Sequence, residues 1–133
     1  MNTTSNNTTK TDSKTGTFGV EYTIDAKNRS LGRVASEVSH LLLGKNSADF
    51  RRDRVSTNKV VIINVSDIKI GAKKINDKVY SSFSGYPGGL KKEKLGHKKE
   101  RLGVEEIIKL AVYGMLPSNK HRSILMKNIK IEK

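Results

Sequence analysis

Two stretches of the chain repeat apolar residues at the spacing of an amphipathic helix. In the first, residues 31–45, apolar side chains recur every three or four positions, with Ser30 as the expected N-cap and Gly44 as the C-terminal stop. In the second, Val104–Leu116, two glutamates in the first turn suit the positive end of a helix dipole, and Pro117 ends the stretch. Both stretches are predicted to be helices that bury one face.

Three shorter stretches have the composition of strands. Val20–Asp25 and Asn128–Glu132 alternate apolar and polar residues, whereas Val60–Val65 is an almost continuous run of β-branched residues. Such a run is typical of a strand covered on both faces, so it is predicted to be the central strand. Strands separated by helices indicate a small α/β sandwich with a largely parallel sheet.

The segments between these elements have weaker patterns. Residues 45–59 carry five basic and two acidic side chains without an apolar period, which indicates an exposed basic connection. Residues 67–74 are expected to form a short strand or turn, and residues 78–94 a loop with little regular structure. Ser118 is expected to cap a short helix that extends to about Lys127.

Composition divides the chain into a tail and one domain. Residues 1–17 are mostly Asn, Thr, Ser and Lys, which bury too little apolar area to offset ordering entropy, so a disordered tail is predicted there. Residues 18–133 are predicted to form a single domain, since 133 residues suit one core. No secretory signal, transit peptide or membrane span is expected.

The charge of the chain favours a polyanionic partner. Lysine and arginine total 26 against 13 acidic residues, a formal charge of +13. Contacts between such a protein and phosphates release condensed counterions, so nucleic acid is the expected partner. A membrane surface would call for a basic amphipathic helix with bulky apolar residues opposite, and the sequence shows none.

Enzyme and metal motifs are missing from the sequence. The chain has no cysteine, and its three histidines belong to no zinc-binding pattern. No glycine-rich nucleotide loop follows a predicted strand. Asp25 and Asp67 stand near strand ends, where α/β enzymes often have catalytic carboxylates. We favour the interpretation that both aspartates form hydrogen bonds in turns or at helix caps. We therefore expect no catalytic residue, metal or cofactor.

Three basic segments are candidates for phosphate contact. Ser82–Arg101 combines glycines, Pro87 and lysines, and its Phe83 and Tyr86 are of the type that stacks on unpaired bases; a mobile loop with solvated lysines is the alternative. Pro117–Arg122 is polar and basic after a helix end. Arg29 and Arg33 are four residues apart, so helical spacing would place both guanidinium groups on one side; a solvated helix start is the alternative there.

Five segments, taken in order, resemble the universal large-subunit ribosomal protein family thirteen, with the match running from about Tyr22 to Ile131. The segments are Ile24–Ser36, Leu41–Lys45, Val60–Lys74, Tyr80–Lys91 and Ala111–Lys120, the last of which reads AVYGMLPSNK. The GMLP element after an amphipathic helix is the most specific of these. Arg122 departs from the family pattern, because His121 precedes it where many members have a glycine.

The resemblance implies a three-layer α/β/α fold with a central, mostly parallel sheet. It also implies binding to large-subunit ribosomal RNA and to neighbouring large-subunit ribosomal proteins, a role in early subunit assembly, and no catalytic activity or cofactor. The expected location is cytoplasmic, in the large ribosomal subunit, with an organelle ribosome left open. Neither a membrane nor a small-molecule substrate is expected as a partner.

Applied to this chain, the resemblance and the charge pattern predict a set of RNA-binding positions. They are Arg29, Gly32, Arg33, Lys45, Lys73, Lys74, Tyr86, Gly88, Gly89, Lys91, Lys92, Lys94, Asn119, Lys120 and Arg122.

Two other functions stay open at this point. One is a non-ribosomal nucleic-acid binder or translational regulator, which would share the same basic surface. The other is a small α/β enzyme acting on a phosphorylated substrate, which predicts a pocket with converging titratable groups at the carboxyl edge of the sheet.

Overall fold

The computed structural model describes residues 8–11, 19–48 and 50–132. Its strands are β1 Thr8–Thr11, β2 Glu21–Asp25, β3 Lys59–Ile63, β4 Val79–Phe83, β5 Leu90–Lys94 and β6 Ile129–Ile131. Its helices are α1 Leu31–Leu43, α2 Ala72–Asp77, α3 Leu95–Met115 and α4 Arg122–Lys127, with a 3-10 turn at Val65–Asp67.

Four strands form the main sheet, in the order β1-β2-β3-β6. β3 pairs in parallel with β2 and β6, and β1 pairs with the other edge of β2 in the antiparallel sense. The sequence therefore predicted correctly that β3 is central and that the sheet is mostly parallel. Helices flank this sheet, which confirms the α/β class.

The core lies between the sheet and the apolar faces of α1 and α3. Ile24 in β2 and Ile62 in β3 are fully buried, as are Val34 and Val38 on α1 and Ile107 on α3. Each such side chain stabilises the fold by roughly 1.5–3 kcal/mol relative to an exposed one. The predicted helical stripe of residues 31–45 is confirmed, and it is the stripe that holds α1 on the sheet.

The ends of α1 only partly follow the prediction. Gly44 occupies the left-handed region at φ 73°, and its backbone N–H donates to carbonyls of the last turn, so the predicted stop is confirmed. Ser30 stands at the N-cap position with extended backbone, but its side chain makes no capping hydrogen bond. Instead Ser30 forms an isolated parallel bridge with Lys69.

The prediction of an irregular loop at residues 78–94 was wrong. β4 and β5 form an antiparallel hairpin that is a separate two-stranded sheet. Its turn contains Gly85 at φ 88° and Gly88 at φ 74°, conformations that side chains with a Cβ rarely adopt. The hairpin escaped prediction because it lies outside the main core, so its apolar residues show no clear buried stripe.

Three further boundaries differ from the expectations. In residues 67–74, expected to be a short strand or turn, the 3-10 turn ends at Asp67, Lys69 forms only an isolated bridge with Ser30, and α2 begins at Ala72. α3 begins at Leu95, and Gly103, at φ 83° and ψ 173°, divides it into two helical halves, so the predicted helix at Val104–Leu116 is only its second half. α4 begins at Arg122, four residues after the expected cap Ser118.

Most of the predicted N-terminal tail lies outside the described residues. Within it, Thr8–Thr11 form β1, which pairs with β2. The division into a tail at 1–17 and a domain at 18–133 stays a prediction. In the described part of the chain, no helix is both long and apolar enough to cross a membrane.

Candidate nucleic-acid interface

A groove of about 620 Å³ lies between the hairpin and the first half of α3. Tyr80 and Glu93 point to this side of the hairpin, where Tyr80 contacts Lys98 and Glu93 contacts His97 and Arg101. The residues that line the groove are Tyr80, Ser81, Ser82, Lys91, Lys92, Glu93, Lys94, His97, Lys98 and Arg101. Five of these are lysine or arginine and one is acidic, so the groove is strongly cationic.

The single carboxylate of the groove is fully engaged. Arg101 donates to Glu93 through Nε at 3.1 Å and through Nη2 at 2.9 Å, and His97 Nδ1 lies 2.8 Å from the same carboxylate. Hydrogen bonds from Arg101, followed by the contact with His97, lower the pKa of Glu93 to about 2. The same pairing raises the pKa of Arg101. Glu93 therefore orients Arg101 at the groove and leaves the four lysines unopposed by acid within it.

Tyr80 positions two of the nearby lysines. The ammonium of Lys98 lies 4.7 Å from the centroid of the Tyr80 ring, and that of Lys78 lies 5.2 Å away, both within the range of a cation–π contact. Burial raises the pKa of Tyr80, so the phenol is neutral at physiological pH. The ring thus acts as a neutral platform that holds positive charge beside the groove.

The glycines at the hairpin turn shape the turn itself. A Cβ added at Gly89 would overlap Ser84 Oγ and lie 3.0 Å from the carbonyl oxygen of Tyr86, to which the Gly89 N–H donates at 3.0 Å. Gly88 requires a left-handed backbone. These glycines fix the turn so that Tyr86, 75% exposed, stands at its tip.

The basic cluster after α3 is organised by Arg122. Its guanidinium carbon lies 4.0 Å from the centroid of the Tyr113 ring, and its Nη2 donates to Ser118 Oγ at 3.0 Å. Asn119 Oδ1 accepts from the backbone N–H of Arg122 at 3.2 Å. Arg122 and Asn119 therefore hold the turn together, and Lys120 is left exposed on it.

The expected geometry of Arg29 and Arg33 was wrong. α1 begins at Leu31, so Arg29 precedes the helix and helical spacing does not relate the two side chains. Arg29 pairs with Glu37 and lies near the carbonyl oxygen of Asp25 at 3.5 Å. Arg33 is exposed on the first turn of α1.

The remaining predicted positions lie on several elements. Gly32 on α1 has open space where a Cβ would be, and Lys45 is exposed just after α1. Lys73 and Lys74 are exposed on α2, which packs against β5 and α3. The structure thus brings the lysines of β5 together at the groove and distributes the other predicted positions over separate surfaces.

The predicted set omitted the groove residues of α3, which are His97, Lys98 and Arg101. Their spacing of three and four residues places them on one face of a helix, and this is the signal that could have found them. It was missed because the helix was expected to begin only at Val104.

At the carboxyl edge of the sheet, Asp25 and Asp67 take part in hydrogen bonds that hold the turns after β2 and β3. Asp25 Oδ1 accepts from the backbone N–H of Lys27 at 2.9 Å and from Asn64 Nδ2 at 3.0 Å, and these bonds lower the pKa of Asp25. Asn28 donates its N–H to the backbone carbonyl of Asp67. Across the described ranges, no group of three or more metal-ligating side chains occurs.

Comparison with known proteins decides the family. A family model described as ribosomal protein L13 matches residues 20–132. The chain belongs to the ribosomal protein L13 family. The hairpin, the groove and the turn after α3 all lie within the matched residues.

Individual L13 relatives cover most of the chain. The large ribosomal subunit protein uL13 of Synechococcus sp. (strain CC9311) is 40% identical over 112 residues, which are 84% of this chain and 74% of the relative. That of Geobacter sp. (strain M21) is 41% identical over 110 residues, 83% of this chain and 77% of the relative. L13 proteins are structural and not enzymatic, so the chain is not an enzyme.

Proposed function

We propose that this L13-family chain is a structural constituent of the large ribosomal subunit that binds large-subunit ribosomal RNA and supports early subunit assembly. The observation that carries the proposal is the cationic groove, in which the only carboxylate is already paired with Arg101. The names of the relatives, all large ribosomal subunit proteins, and the charge of +13 support it.

The mechanism is electrostatic. Lys91, Lys92 and Lys94 on β5, with Lys98 and Arg101 on α3, neutralise phosphates where RNA enters the groove, and the released counterions favour binding. The exposed lysines on α2 and at the end of α1 provide further contacts, as do Arg33 and Lys120. The buried core between the sheet, α1 and α3 holds these dispersed groups in a fixed relation, so one rigid body can bind several RNA segments.

The partners in this role are large-subunit ribosomal RNA and neighbouring large-subunit ribosomal proteins. Because the relatives above are bacterial proteins, we place the chain on cytoplasmic ribosomes. Among the predicted positions, Gly88, Gly89, Asn119 and Arg122 act by shaping the turns that present Tyr86 and Lys120.

The proposal is tested by sedimentation of the full chain with ribosomal particles. The wild-type protein is expected with large subunits in moderate salt and free only at high salt, because phosphate contacts weaken as salt rises. Replacing Lys91, Lys92 and Lys94 by glutamate is expected to reduce incorporation at least tenfold. The matched control replaces Lys27, Lys127 and Lys130, three exposed lysines outside the predicted set, by glutamate.

Two results would contradict the proposal. One is a wild-type chain found wholly in ribosome-free fractions. The other is equal incorporation of the β5 variant and its control, which would mean that the groove does not contact RNA.

A further inference from the structure

The hairpin has a second surface, which we call the outer hairpin face. It consists of Val79, Ser81, Phe83, Leu90, Lys92 and Lys94, which alternate along β4 and β5 with the inward residues Tyr80 and Glu93. The cross-strand pairs on this face are Val79 with Lys94, Ser81 with Lys92, and Phe83 with Leu90. Ser81, Lys92 and Lys94 also border the groove, so this face adjoins it. The outer hairpin face therefore presents an apolar pair at its turn end and two lysines along β5.

The apolar residues of this face are exposed. Phe83 leaves 65% of its surface accessible, Leu90 57% and Val79 48%. Adjacent exposed apolar side chains on one surface are typical of an interaction site in a folded protein. Because Phe83 and Leu90 are directly paired, they form one platform at the turn end of the hairpin.

Charge indicates which partner fits the platform. All hairpin residues from Val79 to Lys94 are described, and their only carboxylate is Glu93, on the opposite face. The outer hairpin face thus combines an aromatic ring with two cations and carries no acid. An aromatic ring next to cations suits a nucleic-acid strand, whose bases stack on the ring while its phosphates contact the cations.

The form of the RNA follows from the shape of this face. The major groove of an RNA duplex is too deep and narrow for side chains to read, and stacked base pairs hide the faces of their bases. Unpaired nucleotides present those faces. Phe83 can stack on a base only when the base is free of a helix.

We propose that the outer hairpin face binds unpaired nucleotides of RNA. Phe83 stacks on a base, Leu90 extends the apolar platform, and Lys92 and Lys94 contact the flanking phosphates. The inference rests on the proposed function because it takes RNA as the partner. To the phosphate contacts of that function it adds the stacking of a base on an aromatic side chain, on the face of the hairpin opposite Glu93.

The test measures binding of the full chain to single-stranded oligoadenylate of about 12 nucleotides and to an RNA duplex of the same length. Phe83→Ala is expected to weaken single-strand binding about tenfold, as loss of one stacked base does, and to leave duplex binding unchanged. The dependence of affinity on salt should keep its slope, because no charge is removed. Phe83→Trp should restore the affinity.

Two matched variants separate stacking from other effects. Ile124→Ala removes a side chain of α4 that is 48% exposed, and it should change neither affinity. Replacing Lys92 and Lys94 by alanine should lower the salt slope by about 1.4, since each lost phosphate contact contributes about 0.7 on a single strand. Only the Phe83 variant is therefore expected to lose affinity at constant slope.

A photo-crosslinking side chain at position 83 extends the test to assembled large subunits. Crosslinks to unpaired RNA nucleotides are the expected result, and crosslinks mainly to a neighbouring protein would overturn the inference. Equal single-strand binding by wild type and Phe83→Ala would overturn it as well. If the oligonucleotide results hold but the chain never sediments with subunits, the ribosomal function fails while the binding of unpaired RNA stands.

Discussion

At the scale of single residues, partners within the protein decide what a charged side chain can do. Arg29, Arg101 and Arg122 are all basic in the sequence, yet the structure gives them different surroundings. Arg29 pairs with Glu37, Arg101 is held at the groove by Glu93, and Arg122 stacks on Tyr113. Sequence predicted that the region of each is basic, but it could not predict these pairings because their partners depend on the turns between elements.

The Glu93 pair leads to a prediction on pH. The folded-state pKa of Glu93, about 2, is below its ordinary value of 4.5, so the pairing stabilises the fold above pH 4.5 and is lost as pH falls through about 2. Arg101→Met removes the principal cause of the shift. The midpoint of the Glu93 carboxyl signal in an NMR titration should therefore rise.

The control for this titration is Lys109→Met. Lys109 lies 3.6 Å from Glu106 on α3, away from the groove, so its loss should leave the titration of Glu93 unchanged. A Glu93 midpoint that is the same in Arg101→Met and wild type would show that the Arg101 contacts do not persist in solution.

At the scale of elements, local patterns predicted those helices and strands that pack on the core. The stripe of α1 and the β-branched run of β3 both carry fully buried residues, and both were predicted correctly. The hairpin and the first half of α3 were missed, because they have few core contacts and the basic residues there obscure any apolar period. Gly103 was also missed, since a helical sequence pattern does not show where the backbone leaves the helix.

Gly103 provides a prediction at this scale. Its backbone, at φ 83° and ψ 173°, lies in a region that is essentially restricted to glycine, so Gly103→Ala should destabilise the fold by about 1–3 kcal/mol. Gly114→Ala is the matched control in the same helix. Gly114 has open space for a Cβ and no positive φ, so alanine there should stabilise the helix by roughly 0.5–1 kcal/mol.

Urea denaturation of the two variants measures both free energies of unfolding. The two variants are expected to change the free energy of unfolding in opposite directions. This difference separates the effect of the Gly103 backbone from a general effect of adding a methyl group to α3. If Gly103→Ala proved as stable as Gly114→Ala, α3 would be continuous in solution.

At the scale of the whole molecule, the excess positive charge is distributed over separate elements. Sequence predicted the basic character of these segments, and the resemblance placed them in the L13 family. What required the structure was the arrangement, in which the lysines of β5 meet Lys98 and Arg101 at one groove while Lys73, Lys74 and Lys120 stand elsewhere. Contacts between distant segments set this arrangement, and no local pattern records them.

Dispersed contacts predict additive losses of salt dependence. Each phosphate contact contributes about 0.7–0.9 to the slope of log affinity against log salt for RNA or DNA strands, so replacing Lys91, Lys98 and Arg101 by glutamine should lower the slope by about 2. Replacing Lys73 and Lys74 by glutamine should lower it by about 1.5. Independent contacts from the two groups predict a combined loss of about 3.5.

The measurement is a titration of the full chain with large-subunit ribosomal RNA at several salt concentrations. Lys127→Gln and Lys130→Gln together form the control, because both are exposed lysines outside the predicted set. If the groove variant alone abolished the salt dependence, binding would be confined to one site. An additive loss means instead that a rigid core presents separate cationic surfaces that each contact RNA.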